Sequence, residues 1–119
     1  MKAEPFSVAI AQAELDDLNR RLDATRWAAD FGNDDWRYGV EAGWLRDMVR
    51  YWRHEFDWRA QEMAMNAFPQ YRVDIDGVPI HFIHVRGKGS DPKPLLLTHG
   101  WPWTFWDYRH VIGPLSDPV

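Results

Sequence analysis

The stretch Leu95–Pro102 (Leu-Leu-Leu-Thr-His-Gly-Trp-Pro) joins a continuous apolar run to a compact turn motif. A short apolar run of this kind is typical of a strand that is buried on both faces. We expect Gly100 to let the backbone turn sharply without a clash at Cβ, and Pro102 to fix its own φ angle. The peptide bond before Pro102 is a candidate for the cis form. The stretch therefore predicts a buried strand that ends in a tight turn.

A short helix-forming segment follows this turn. Residues 104–112 read as a helix with Thr104 as its N-cap, and Gly113-Pro114 is expected to end it. Backbone N–H groups in a strand-to-helix turn can point at one spot and stabilise a developing oxyanion. The four residues from His99 to Pro102 alone favour an ordinary turn, whereas the β pattern before them favours an oxyanion loop.

That β pattern occupies residues 71–86. Apolar and polar residues alternate over residues 71–75, and Asp76-Gly77 is a strong hairpin signal. Residues 79–86 are predicted to form the return strand, and residues 87–94 a polar loop. In α/β-hydrolases one oxyanion donor comes from the loop after the third strand. The order hairpin, loop, apolar strand and turn matches that arrangement.

The first half of the chain is predicted to be helical. An apolar stripe with helical spacing indicates a first helix at about residues 12–24, and a second one follows it. A third helix is expected at about residues 58–67. We expect a short extended arm at residues 6–10 and an ordered loop at residues 25–40 that large aromatic side chains hold in place. The stripe of the second helix consists of Trp44, Leu45, Met48, Val49, Trp52 and Phe56.

These patterns predict a fold in two parts. We expect residues 1–69 to form a helical region and residues 70–119 to open a β-rich or α/β domain, with the hairpin and the buried strand as its first strands. A chain of 119 residues is long enough for one domain with a hydrophobic core. We expect the fold to be incomplete, because no further strands or helices follow to cover the apolar run.

Composition excludes several classes of function. The net charge is −4, so no basic surface predicts binding to nucleic acid or to an anionic membrane. The chain lacks cysteine, which excludes disulfides and Cys-ligated zinc and fits a reducing compartment. We see neither a signal peptide nor an apolar run long enough to span a membrane, and expect a cytoplasmic protein. Eight tryptophans are many for this length and indicate a pocket or a covered surface, or else a Trp-rich core.

The chain resembles the microsomal-type epoxide hydrolase family, from its N-terminal domain into the start of the catalytic domain. The resemblance covers nearly the whole sequence, and it implies that residues 70–119 are the beginning of an α/β-hydrolase domain. The matching residues are Thr25-Arg26-Trp27, Trp36, Tyr38-Gly39-Val40, Tyr51-Trp52-Arg53, Phe56-Asp57-Trp58-Arg59, Gln61-Glu62, Asn66, Phe68-Pro69-Gln70-Tyr71, Ile75-Asp76-Gly77, Ile80-His81-Phe82-Ile83-His84, Leu97–Pro102 and Val111–Leu115.

The resemblance implies hydrolysis of epoxides to vicinal diols, a role in detoxification, and no cofactor. An aspartate attacks an epoxide carbon to give an ester, and a His–acid pair then activates the water that hydrolyses this ester. Only the oxyanion loop maps onto this chain. The Trp101 backbone N–H would be the oxyanion donor, and His99, Gly100 and Pro102 would shape the loop.

Substrate contacts are expected from the residues that follow the loop. Trp103 and Phe105 are the candidates for binding a small apolar epoxide. The family usually has Gly-Ser after the loop, whereas this chain has Trp103-Thr104, so a large indole could narrow or reshape the pocket.

The nucleophile and the general base are missing from the sequence. Neither Gly-x-Asp-x-Gly nor Gly-x-Ser-x-Gly occurs, and no metal-binding spacing is present: His81 and His84 would face opposite sides of a strand. Asp34-Asp35 is a candidate turn or helix cap. We therefore expect a complementary C-terminal hydrolase segment or chain as partner, and no activity from this chain alone. A non-catalytic assembly module, or a hydrolase of esters or haloalkanes, are the alternatives.

Overall fold

The computed structural model describes residues 2–118. The chain divides into two compact units, of which the first is Ala9–Arg59 and the second combines the residues before Ala9 with those from Ala60 onward. None of the described helices is long and apolar enough to cross a membrane. The elements are β1 (Glu4–Phe6), α1 (Gln12–Asp23), α2 (Ala42–His54), α3 (Trp58–Asn66), β2 (Gln70–Ile75), β3 (Val78–Ile83), a 3-10 helix (Phe105–His110) and α4 (Ile112–Ser116).

The three strands form one antiparallel sheet in the order β1-β2-β3. Phe6 lies opposite Gln70, and Gln70 lies opposite Ile83. Asp76 and Gly77 both have positive φ, 53° and 82°, as a two-residue type I′ turn requires. The predicted hairpin is thus confirmed, and the extended arm at the N-terminus is also present, although its strand lies at residues 4–6.

The predicted strand at Leu95–Thr98 is wrong for the described chain. These residues have no regular secondary structure, and Leu95, Leu96 and Leu97 are 64%, 86% and 40% exposed. A strand needs a neighbour for its backbone N–H and C=O groups, and residues 2–118 place none beside this segment. The apolar run is therefore left in solvent.

The predicted end of the last helix is also wrong. Instead of one helix at residues 104–112, the chain forms the 3-10 helix and then α4, which contains Gly113 and Pro114. Pro114 falls in the first turn of α4, where backbone N–H groups have no intrahelical acceptor. Proline is therefore tolerated there. The Lys88 N–H donates to the Ser116 carbonyl over 2.8 Å, which attaches the polar loop to α4.

The first unit contains α1 and α2, and both lie where their apolar stripes predict. The Glu41 carboxylate caps α2 by accepting from the N–H groups of Gly43 and Trp44 at 2.5 and 2.7 Å. The loop before α2 is held by aromatic packing, as expected, since the Trp36 ring lies edge-on 5.3 Å from that of Trp44, and also by a polar residue. Buried Asn33 accepts from the Tyr38 N–H at 3.0 Å and donates to the Gly39 carbonyl at 3.1 Å, whereas Phe31 is 88% exposed.

The expected hydrophobic core is not formed within residues 2–118. None of the described apolar side chains is buried, and only Asn33 and Gln70 fall in the buried class. Six of the eight tryptophans are exposed by at least 38%. The chain thus retains the apolar surface that a complete core would remove from water.

A polar cluster in place of apolar packing organises the second unit. The Asn66 amide accepts from the Val8 N–H and donates to the Val8 carbonyl, both at 2.8 Å. Gln70, 4% exposed, donates from Nε2 to the Met65 carbonyl and to Asn66 Oδ1 at 2.9 and 3.0 Å. Its Oε1 is therefore left to accept from His81 Nε2, 2.9 Å away. This chain of bonds assigns the proton of His81 to Nε2.

Aromatic rings enclose this histidine. The His81 ring centroid lies 5.1 Å from that of Phe6 and 4.7 Å from that of Phe105, both with edge-on geometry. Burial lowers the pKa of His81 below its ordinary value, because the charged imidazolium loses more hydration than the neutral ring. The cluster joins β1, β2, β3, α3 and the 3-10 helix.

Candidate functional site

The turn predicted to form an oxyanion loop is compact and closed by one backbone hydrogen bond. The Trp103 N–H donates to the Gly100 carbonyl over 2.8 Å. The peptide bond between Trp101 and Pro102 is cis, as the sequence allowed. A cis proline at the third position of a closed four-residue turn is the type VI arrangement. Residues 100–103 are therefore ordered by their own backbone.

The turn leaves one N–H group available at its tip. Pro102 has no N–H, and that of Trp103 is used inside the turn. Within the described chain the Trp101 N–H makes no hydrogen bond, and the residue is 94% exposed. This N–H can donate to an outside acceptor without breaking any existing hydrogen bond.

His99 and Gly100 lie at the start of the turn. His99 Nδ1 is 3.2 Å from the Gly100 carbonyl oxygen, so the imidazole contacts the loop backbone. The clash expected for a side chain at position 100 does not arise among the described residues. A Cβ there would meet only Trp103 Cδ1 at 3.9 Å, an ordinary contact. The contribution of Gly100 to loop geometry stays a prediction.

The two candidate substrate contacts lie in different surroundings. Trp103 is 65% exposed beside the turn. Phe105 is half-buried, and its ring packs on His81 and on Trp106, whose ring centroids are 4.7 and 6.5 Å away. The substrate-binding roles of Trp103 and Phe105 stay predictions.

The residues after the turn are fixed by a capping box, which confirms Thr104 as an N-cap. Its hydroxyl accepts from the Trp106 N–H at 3.2 Å, and its own N–H donates to Asp107 Oδ2 at 2.8 Å. The Trp106 ring also packs edge-on against Phe68, with centroids 6.0 Å apart. The 3-10 helix therefore holds the C-terminal side of the turn.

One residue that touches the loop was missed by sequence reasoning. The Tyr108 hydroxyl donates to the Thr98 carbonyl over 2.6 Å, directly before His99. A tyrosine inside a short helix carries no sequence signal for a hydrogen bond to a residue ten positions earlier. Only the folded chain brings the two together.

Comparisons with known proteins decide the family. The family model described as epoxide hydrolase N terminus matches residues 3–108. The chain belongs to the epoxide hydrolase family. A Stigmatella aurantiaca (strain DW4/3-1) protein assigned to the epoxide hydrolases is 46% identical over 115 residues, and Epoxide hydrolase 1 of Oryctolagus cuniculus is 40% identical over 118 residues. These alignments cover 97% and 96% of this chain.

The folded structure is similar to a solved member of this epoxide hydrolase family. The structure of Aspergillus niger epoxide hydrolase matches with a TM-score of 0.87 and 34% identity, over 94% of this chain and 30% of that one. The chain spans 26% of the length of the two curated relatives. The predicted resemblance to the epoxide hydrolase family is thus confirmed.

Other candidate sites in this epoxide hydrolase segment have structural roles. Asp35 forms a turn rather than a helix cap: it accepts from the Arg37 N–H at 3.3 Å and from its guanidinium Nε at 2.9 and 2.8 Å. The Arg37 guanidinium holds the pKa of Asp35 below its ordinary value. Over residues 2–118 the structure groups no three metal-ligating side chains. The absence of a metal and of a cofactor stays a prediction.

Proposed function

We propose that this chain is the N-terminal part of an epoxide hydrolase and that the Trp101 N–H is one donor of its oxyanion hole. The observation that carries the proposal is the Trp101 amide, which residues 2–118 leave unpaired at the tip of an ordered turn, in a chain of this family. The nucleophile and the general base come from a complementary C-terminal hydrolase segment or chain. Oxyanion donors act best when they are fixed before the reaction, as this turn is.

The reaction we propose converts a small apolar epoxide and water into a vicinal diol. A carboxylate of the complementary segment attacks an epoxide carbon, the C–O bond breaks, and the epoxide oxygen takes up a proton. This step leaves a hydroxyalkyl ester. Water then adds to the ester carbonyl, and the Trp101 N–H donates to the oxyanion that forms. Collapse of this intermediate releases the diol and restores the carboxylate.

The exposed apolar surface supports the proposal that a complementary segment packs against this chain. A run of apolar side chains between 40% and 94% exposed consists of Leu95–Leu97, Trp101 and Trp103. Contiguous apolar surface without a partner marks a site of interaction. We propose that residues 70–118 are the beginning of an α/β-hydrolase sheet, and that Leu95–Thr98 becomes a strand when the complementary segment supplies its neighbours. A cytoplasmic location without nucleic-acid or membrane partners is part of the same proposal.

A fusion protein tests the function directly. The 119-residue chain is assayed alone with styrene oxide, and then fused in place of the matching part of the Stigmatella aurantiaca relative. We expect no turnover from the chain alone and epoxide hydrolysis from the fusion. Clear turnover by the purified chain alone, or an inert but folded fusion, would overturn the proposal.

The role of Trp101 has a matched pair of variants. Trp101→Pro removes the N–H and should lower kcat of the fusion by about 100-fold or more, whereas Trp101→Phe keeps the N–H and should stay within about tenfold of the parent. Equal activity of the two variants would remove Trp101 from the oxyanion hole. A stable but inactive complex would instead favour a non-catalytic assembly module. Turnover of esters or haloalkanes in place of epoxides would favour a hydrolase of those substrates.

A further inference from the structure

The Tyr108 hydroxyl holds the segment before the oxyanion turn. Its bond to the Thr98 carbonyl is 2.6 Å long. Residues 95–99 have no regular secondary structure, and among the described residues no other backbone group of that segment is hydrogen-bonded to protein. The Thr98 carbonyl is therefore the point at which the N-terminal side of the turn is attached.

Tyr108 itself lies on an anchored element. It belongs to the 3-10 helix, whose first two residues pack on other parts of the same unit: Phe105 on His81 at 4.7 Å and Trp106 on Phe68 at 6.0 Å. The Val111 N–H also donates to the Tyr108 carbonyl at 2.9 Å. The hydroxyl thus transmits the position of a packed helix to a segment that has no regular secondary structure.

The turn is consequently held on both sides. Its C-terminal side enters the capping box of Thr104 and Asp107, and its N-terminal side is bonded to Tyr108. Between these two attachments lies the Trp101 amide. A rotation of the Thr98–His99 peptide would change the direction of that N–H, and a hydrogen bond to the Thr98 carbonyl opposes this rotation.

We propose that Tyr108 is a positioning residue that orients the Trp101 N–H through the Thr98 carbonyl. The proposal rests on the proposed function, because it assigns Tyr108 to the same oxyanion site. Tyr108 does not touch the reacting atoms. Its hydroxyl restricts the loop to the orientation in which the N–H faces the oxyanion, and this raises the rate of ester hydrolysis without contributing to substrate binding.

The kinetic test uses the fusion with the Stigmatella aurantiaca segment. Tyr108→Phe removes only the hydroxyl and should slow ester hydrolysis, and with it kcat, by about tenfold, the scale of one lost hydrogen bond. Because the ester then accumulates, KM should fall in parallel and kcat/KM should stay unchanged. The matched control is Tyr71→Phe in the same unit, since the Tyr71 ring stacks on Phe82 and its hydroxyl makes no hydrogen bond within residues 2–118. An active fusion in which both variants match the parent would overturn the proposal.

A spectroscopic test separates this proposal from the proposed function. The 119-residue chain is labelled with 15N-tryptophan, and the Trp101 amide peak is assigned by its loss in Trp101→Phe. Tyr108→Phe should shift that peak, whereas Tyr71→Phe should leave it in place. An unmoved peak overturns the positioning role. If the fusion is folded but inert while the peak still moves, the proposed function fails and the hydrogen-bonded clamp is nevertheless established.

Discussion

The β2–β3 hairpin and the segment Leu95–Trp103 lie close together in sequence and are both rich in apolar residues, yet only the hairpin forms regular structure. The hairpin carries its partner strand within itself, because Asp76 and Gly77 reverse the chain after two residues. The segment has no neighbouring strand among the described residues. An apolar pattern therefore specifies a strand only where the backbone groups also find a partner.

The two regions also differ in what holds them. The hairpin rests on Gln70, which is 4% exposed and bonded to three groups on α3 and β3. Within residues 2–118 the stretch before the turn has one hydrogen bond to another element, from the Tyr108 hydroxyl to the Thr98 carbonyl. Substitutions that disturb the hairpin should therefore lower the stability of the chain, whereas a substitution in the segment should change it little.

Gln70→Leu should destabilise the chain by about 2 kcal/mol, since it leaves the half-buried His81 Nε2–H without the acceptor that it has in the folded chain. Urea unfolding followed by circular dichroism gives this value. Arg72→Leu, an exposed change on the same strand, should cost no more than about 0.5 kcal/mol. Equal costs for the two variants would mean that the polar cluster does not hold the sheet.

Gly77→Ala should cost about 1 kcal/mol, because the glycine has a φ of 82° and an L side chain is strained there. The same unfolding measurement applies. Gly89→Ala is the control: its φ is not in the left-handed region, and a Cβ would meet nothing within 4 Å. A tolerated Gly77→Ala would show that the turn does not set the hairpin register.

Lowering the pH should weaken the unit that holds the hairpin. Burial lowers the folded-state pKa of His81 below its ordinary value of 6.5, so the unfolded chain binds a proton first as the pH falls. The stabilisation is complete above about pH 6.5 and is lost as the pH decreases through that value towards the folded-state pKa. Urea midpoints at pH 7.5 and pH 5.5 measure the loss. His81→Gln should make this difference smaller, and an unchanged difference would assign it to other groups.

Leu96→Asp should change the stability of the chain alone by less than about 0.5 kcal/mol, since Leu96 is 86% exposed. In the fusion the same substitution should cost more than about 2 kcal/mol, because an aspartate would enter a strand buried on both faces. Thermal unfolding of both proteins tests this pair. A negligible cost in the fusion would show that Leu95–Thr98 stays exposed there.

The sequence by itself determined the local elements whose signals lie within a few residues. The stripes of α1 and α2, the Asp76-Gly77 turn and the Thr104 cap need only their own neighbours, and all are present. The resemblance to the epoxide hydrolase family could also be read from the sequence, because it depends on residue identity alone. Where the pattern needed a distant partner, as at Leu95–Thr98, sequence reasoning predicted a strand that the described chain does not form.

Only the tertiary structure decided what joins these elements. Asn66, Gln70 and His81 are bonded in one series, and Tyr108 meets Thr98 across ten residues, although none of these pairs has a pattern in the sequence. Such contacts depend on where whole elements come to lie, and many arrangements share the same local spacing. The residues of the turn at Trp101 could be read from the sequence. That the Trp101 N–H makes no hydrogen bond within residues 2–118 was decided by the folded backbone.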